Sequence, residues 1–154
     1  FILAKTNLEN YHNFQLINQS FSQFSSELKF SRISALWNVV GHISNRKEFF
    51  KQVFNCLEIG GYFFFDANNR FNIKNYGIKN FIINLFNELI NSPNKGFFPL
   101  LGESYVQISS PYEIKKELSI AGFEILDIIY IDYNDGKITN SILKGQSLFI
   151  CIKR

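Results

Sequence analysis

The pattern of apolar and polar positions changes most abruptly in the middle of the chain. Leu57-Glu58-Ile59-Gly60-Gly61 leads into Tyr62-Phe63-Phe64-Phe65, and the polar run Asp66-Ala67-Asn68-Asn69-Arg70 follows at once. Four consecutive aromatics leave no polar face, so the segment is expected to be a strand covered by helices on both sides, as parallel strands are. Ligands in open α/β sheets bind beyond the carboxyl ends of such strands, where the polar run begins. Upstream, Phe49, Phe50, Val53, Phe54 and Leu57 recur at helical spacing. Asn45, with Glu48 three residues on, marks the start of that helix, and Gly60 is expected to stop it in the left-handed conformation.

The pattern extends in both directions. Residues 1–12 read as the end of a helix, and Phe14, Leu16 and Ile17 as a short strand closing in Asn18 to Phe21. Ser31 to Val40 reads as a buried strand ending around Trp37-Asn38, before Gly41-His42-Ile43. Beyond Asp66, Ile78, Phe81, Ile82, Leu85, Phe86 and Leu89 lie on one stripe of a helix over about 78–92, an insertion that forms either a lid or plain core. Ser110, Pro111 and Glu113 make a capping box; Ile114, Leu118 and Ala121 face inward, and Gly122 ends that helix. Phe123 to Tyr133 and Ser147 to Lys153 complete the strands, separated by an Asn134 to Lys137 turn. This alternation predicts a single α/β domain over 1–154, with a mostly parallel sheet and an antiparallel C-terminal strand.

Composition narrows the function classes. The 16 basic and 13 acidic residues are dispersed, so the chain lacks the concentrated basic stripe of a nucleic-acid binder. No apolar run reaches the roughly 20 residues that span a bilayer. Cys56 and Cys151 have no metal-ligand spacing, which points to a reducing, cytoplasmic setting and to no metal. The 18 Phe, 18 Asn and 21 Ile fit an AT-rich coding bias, so a lone Asn carries little weight. The chain has no Met and begins at Phe1, so a processed chain or a fragment is expected.

Three local matches make the chain resemble the C-terminal two-thirds of a class I S-adenosylmethionine-dependent methyltransferase. Leu36-Trp37-Asn38-Val39-Val40-Gly41-His42-Ile43 is similar to that family's fourth strand and following loop. Leu57 to Asp66 is similar to its L-x-P-G-G turn and fifth strand, and Ala121-Gly122-Phe123-Glu124-Ile125 to the A-G-F entry of the sixth; Gly145 to Phe149 fits the terminal strand. The resemblance implies a partial Rossmann-like sheet, S-adenosylmethionine as cofactor and a small-molecule substrate, with the oligomeric state open. The family's G-x-G-x-G cofactor loop and the acid closing the next strand are absent, so by order of elements the first two strands would precede Phe1. The expected reading is an N-terminally truncated enzyme, inactive by itself. Its alternatives are a partner-dependent module that no longer binds cofactor, or another nucleotide-binding enzyme such as a reductase.

The resemblance also distributes roles. It places Trp37 and Asn38 against the methionine part of the cofactor and Ser20 and Phe21 at adenine, with Ser20 standing where the family has an acid. His42 is the expected proton acceptor; its bland alternative is a hydrogen bond to a backbone carbonyl. Asn68, Arg70 and Asn72 would point together if the chain stays extended past Asp66, with Arg70 offering its fork to a carboxylate or phosphate. Tyr76 completes the expected substrate side, and the bland reading of all four is a solvated loop. Removing two central strands would leave open edges and uncovered apolar faces. Residues 1–154 alone are therefore expected not to melt cooperatively, and a sharp two-state thermal transition of that polypeptide would overturn this.

Overall fold

The computed structural model describes residues 12, 14–90, 97–99, 105–132 and 134–154. Helix α1 (Arg46–Cys56) forms as its pattern requires: the Asn45 side chain accepts from the Glu48 N–H at 3.3 Å, and Phe49, Phe50 and Val53 are buried. Its end differs from expectation. Strand β2 (Leu57–Ala67) starts at the residue after α1, so Gly60 and Gly61 lie inside the strand. Lysines close the helix instead: Lys153 Nζ donates to the carbonyls of Phe54 and Leu57 at 2.8 Å each, and Lys29 Nζ to that of Asn55 at 2.8 Å. A cation at this end also suits the helix dipole. Gly60, with φ of +82°, serves a bulge. Strand β1 (Phe30–Ala35) runs parallel to β2, but Phe30 pairs with Leu57 while Arg32 pairs with Tyr62, so β2 loops out between those partners.

Further along lie α2 (Ile73–Leu89), β3 (Phe97–Pro99), β4 (Tyr105–Gln107), α3 (Pro111–Ala121), β5 (Phe123–Asp132), β6 (Lys137–Thr139) and β7 (Gln146–Lys153). The sheet order is β1-β2-β7-β5-β6, with β3 and β4 forming a separate antiparallel pair. Strand β7 is antiparallel to both neighbours, so β1, β2 and β5 share one direction. The α/β class and the antiparallel last strand agree with the sequence pattern; the short β3–β4 hairpin carries no such signal, and the expected turn at 134–137 leads into the short β6. Helix α3 has its expected caps, with Ser110 accepting from the Glu113 N–H at 3.1 Å and Gly122 left-handed at φ +99°.

The core is an aromatic seam. Phe65 lies 4.7 Å from Phe63, 5.4 Å from Phe50 and 4.8 Å from Phe149, and Phe63 lies 5.6 Å from Phe123, joining α1, β2, β7 and β5. Ile114 and Leu118 of α3 close the same face. Among the described residues this is the one helix-covered face: Phe63 and Phe65 are fully buried, whereas Tyr62 is 36 % exposed and Phe64 half-buried, their rings stacked at 6.0 Å. The cover expected on the second face is not supplied by the described residues. Aromatics on both sides of the strand conceal an ordinary alternation.

Three further expectations change. Residues 14–18 form no strand, and Phe14 and Ile17 are exposed; a short 3-10 turn, Phe21–Gln23, follows, pinned by the Gln52 amide donating to the carbonyls of Phe21 and Phe24 at 2.5 and 2.9 Å. The inserted helix starts at Ile73, and Gly77 (φ 76°, ψ 159°) breaks its path before the predicted stripe. Of that stripe Phe81 packs on Phe71 at 5.8 Å, but Ile78, Ile82, Leu85, Phe86 and Leu89 are exposed rather than core. The expected helix before residue 12 and the break at 91–96 lie outside the described residues.

Gly145 and Gly136 separate backbone strain from steric conflict. Both have positive φ, +74° and +69°; a Cβ at Gly145 would lie 2.7 Å from the Ile131 carbonyl, while at Gly136 it would meet nothing. In the natural protein carrying this chain, Gly136→Ala is expected to cost about 1–2 kcal/mol. Gly145→Ala should cost clearly more, as read from urea midpoints, and the reverse order would contradict the packing.

Candidate functional site

The carboxyl ends of β1 and β2 lie side by side, with Ala35 paired to Phe65. Beyond β1 the backbone enters the left-handed region twice in succession, at Trp37 (φ 66°) and Asn38 (φ 56°). For a residue as bulky as tryptophan this is an outlier that the surroundings must enforce. They do so through a clasp. Both carboxylate oxygens of the buried Asp66 accept the Asn38 N–H, at 3.1 and 3.0 Å, and Asn38 Oδ1 accepts the Asn68 N–H at 3.1 Å. Gly41 donates its N–H to the Asn38 carbonyl at 3.0 Å, and a Cβ there would sit 2.5 to 2.8 Å from the Asn38 amide group, so a side chain at this position would push that amide aside.

The clasp leads into a 3-10 turn, Val39–His42, which delivers His42 to solvent. His42, Ser20 and Phe21 come together on a cleft of about 320 Å³ whose wall also includes Ile43, Glu48 and Gln52; no Lys or Arg lines it among the described residues. Phe21 is fixed edge-on against Phe49, ring centroids 5.3 Å apart, and the hydroxyls of Ser20 and Ser22 share a hydrogen bond of 2.8 Å. Trp37 does not line this cleft. It stands 89 % exposed, between the part-exposed Leu36 and Val39, and β4 packs against the Val39–His42 turn.

The expected substrate group is dispersed. The chain turns after Asn68 rather than staying extended, because Asn69, which drew no separate attention in the sequence, accepts the Phe71 N–H at 3.0 Å through its side chain and the Asn72 N–H at 3.0 Å through its carbonyl. Its amide donates to the carbonyls of Ile142 and Gly145 at 2.7 and 3.2 Å, and its own N–H goes to Gln146 Oε1 at 2.6 Å. Asn72 is consequently the buried N-cap of α2, accepting from the Asn75 N–H at 3.3 Å. Tyr76 is half-buried and hydrogen-bonded to Gln146, and desolvation raises its phenol pKa. Asn68 stays half-buried beside the clasp.

Arg70 departs furthest from its expected role. Its guanidinium is fully buried, paired with Glu88 of α2 and, at 3.3 Å, with Glu113 of α3; burial lowers its pKa against the pull of Glu113. Alongside, Arg46 binds Glu117 at 2.9 Å through both Nε and Nη2, Glu113 at 3.0 Å, and the Ser109 hydroxyl. Two arginines and three glutamates thus tie α1, α2 and α3 to the 68–72 turn, so Arg70 offers no fork to a ligand. Among the described residues no group of His, Cys, Asp or Glu is arranged to hold a metal.

An open mixed sheet with helices packed against it defines an α/β protein. Solved structures specify which kind. The chain is similar to an S-adenosylmethionine-dependent methyltransferase from Clostridium acetobutylicum (18 % identity, TM-score 0.64), covering 97 % of this chain and 69 % of that one. It is likewise similar to the N-methyltransferase NodS from Bradyrhizobium japonicum, solved with S-adenosylhomocysteine (10 % identity, TM-score 0.60, 97 % of this chain and 59 % of that one). The glycopeptide N-methyltransferase MtfA gives 13 % identity and a TM-score of 0.63 over 99 % of this chain and 70 % of its own. No family model matches the sequence, and no curated protein matches it. The chain therefore has the fold of class I S-adenosylmethionine-dependent methyltransferases and spans about two-thirds of the length of these neighbours.

Breaking a buried ion pair on one side leaves an uncompensated charge. Arg70→Ala is expected to destabilise the natural protein by about 3–5 kcal/mol, while His42→Ala, at an exposed position, changes stability by less than about 0.5 kcal/mol. Chemical denaturation of both variants checks this; a stable Arg70→Ala would refute the structural role.

Proposed function

We propose that the chain forms part of an S-adenosylmethionine-dependent methyltransferase acting on a small molecule. The observation that carries this is the convergence of Ser20, Phe21 and His42 on one cleft between the 20–22 segment, the loop that follows β1 and the first turns of α1, in a chain with the fold of such enzymes. The residues present suit one side of the cofactor. Phe21 would present an aromatic ring and Ser20 a hydroxyl to a purine, and the resemblance assigns the amino-acid moiety to the Asn38 turn. The glycine-rich loop of the family is not among these 154 residues, so they supply only part of the cradle.

When bound, the cofactor supplies an electrophilic methyl group on a sulfonium. The chain's own contribution is to position and to handle a proton. A rigid turn on two strand ends orients an acceptor, and orientation alone accounts for a large share of acceleration in such a displacement. His42, exposed at the cleft, takes the proton that an amine or hydroxyl acceptor gives up. A second reading is a module that depends on a partner and does not bind cofactor itself.

Calorimetry with S-adenosylhomocysteine on the natural protein separates the two: binding supports the methyltransferase, and no heat at saturating ligand supports the module. In the enzyme, His42→Ala is expected to lower turnover by about 100-fold or more, the usual range for a positioned base. Unchanged turnover would remove His42 from the mechanism.

A further inference from the structure

Residues 14–29, which bring Ser20 and Phe21 to the cleft, have no strand partner. Their one regular element is the turn Phe21–Gln23, closed by local bonds from the N–H groups of Gln23 and Phe24 to the carbonyls of Ser20 and Phe21, at 3.0 Å each. Among the described residues two side chains tie this segment to the body by hydrogen bonds. Lys29 reaches Asn55 at the far end, and Gln52 of α1 reaches the turn itself, its amide donating to the carbonyls of Phe21 and Phe24 at 2.5 and 2.9 Å. Glutamine suits that place. Two main-chain carbonyls converging on one point require a group with two hydrogens to give, which an amide nitrogen has and a hydroxyl or carboxylate lacks. Phe49, three residues before Gln52 and so on the same side of α1, meets the Phe21 ring edge-on at 5.3 Å. The helix thus grips the turn at two points, ring on ring and amide on main chain.

Phe21 borders two hollows, the cleft it shares with His42 and an apolar one of about 240 Å³ beside Phe24, Phe30, Ile33 and Cys56. A ring in that position lacks partner atoms on its open sides, so its attachments decide where it stands. We propose that Gln52 is a positioning residue of the cleft: its amide latches the 20–24 turn to α1 and so sets the place of the Phe21 ring, on which a planar heterocycle stacks. The proposal rests on the methyltransferase reading for the identity of that heterocycle, the purine of the cofactor. Gln52 acts through Phe21 and needs no contact of its own with the ligand.

The test uses the natural protein carrying this chain and its Gln52→Glu and Gln52→Leu variants. The first keeps the shape and removes both donors; the second removes them without adding charge. Chymotrypsin, which cuts after aromatic residues, should cleave at Phe21 and Phe24 about ten-fold faster in both variants, because the turn opens locally once two hydrogen bonds are lost. Affinity for S-adenosylhomocysteine, read by calorimetry, should fall about ten-fold in both, and by a similar factor in Phe21→Ala. Adding Gln52→Glu to Phe21→Ala should then weaken binding by less than about two-fold further, since residues that act as a unit are not additive. A merely structural role would lower affinity by the same factor with or without the Phe21 ring. Cleavage at the natural rate, affinity within about two-fold of the natural protein, a loss confined to the charged variant, or full additivity would overturn the proposal. Absence of S-adenosylhomocysteine binding by the natural protein overturns the parent reading and with it the role at the cofactor, while faster cleavage of the variants still supports the latch.

Discussion

Everything at the carboxyl edge hangs on one carboxylate receiving one backbone N–H. Asp66 ends the central strand with its side chain buried, and its two oxygens both reach the amide of Asn38 on the neighbouring strand's loop. A hydrogen bond accepted by a buried carboxylate is stronger than one between neutral groups, so the contact holds the turn firmly. It fixes two consecutive left-handed residues, which set where Trp37 projects and where the following turn carries His42. The returning bond from the Asn68 N–H to Asn38 closes the loop pair in both directions. The geometry of the site is thus a property of strand ends and main-chain groups.

Charge in this molecule works mainly as internal fastening. Arg46, Arg70, Glu88, Glu113 and Glu117 knit three helices to one turn, and Lys29 and Lys153 satisfy the carbonyls at the end of α1. The insertion that carries α2 is anchored through Glu88 and through Lys74, which pairs with Asp132 and lowers that carboxyl's pKa. The apolar outer side of α2 is left in water, so the helix is held from its polar side.

Local signals were legible wherever the cause was local. The caps at Asn45 and Ser110, the left-handed Gly122 and the aromatic strand all follow from neighbours within four residues. Signals failed where a distant partner decides. Gly60 looked like a helix stop because the lysines that end α1 come from positions 29 and 153. Arg70 looked free because Glu88 and Glu113 lie 18 and 43 residues along. Asn69 was indistinguishable from the many other asparagines until its bonds to Ile142 and Gly145 were seen. Ser20, Phe21 and His42, singled out through the resemblance, lie on one cleft because the 20–22 segment and the loop after β1 both pack on α1. The clasp could not be read in advance, because it depends on pairing β1 with β2.

Strand β7 has a consequence for how the molecule comes into being. It lies between β2 and β5, yet it follows both in sequence, so the two halves of the sheet have no direct strand partner until residues 146–153 exist. On a ribosome the earlier strands must wait with hydrophobic edges open, and the pairing of β2 with β7 joins residues 80 to 90 apart in the chain, an arrangement of high contact order that favours slow, late closure. Among the described strands, the middle of the sheet is the last to be synthesised.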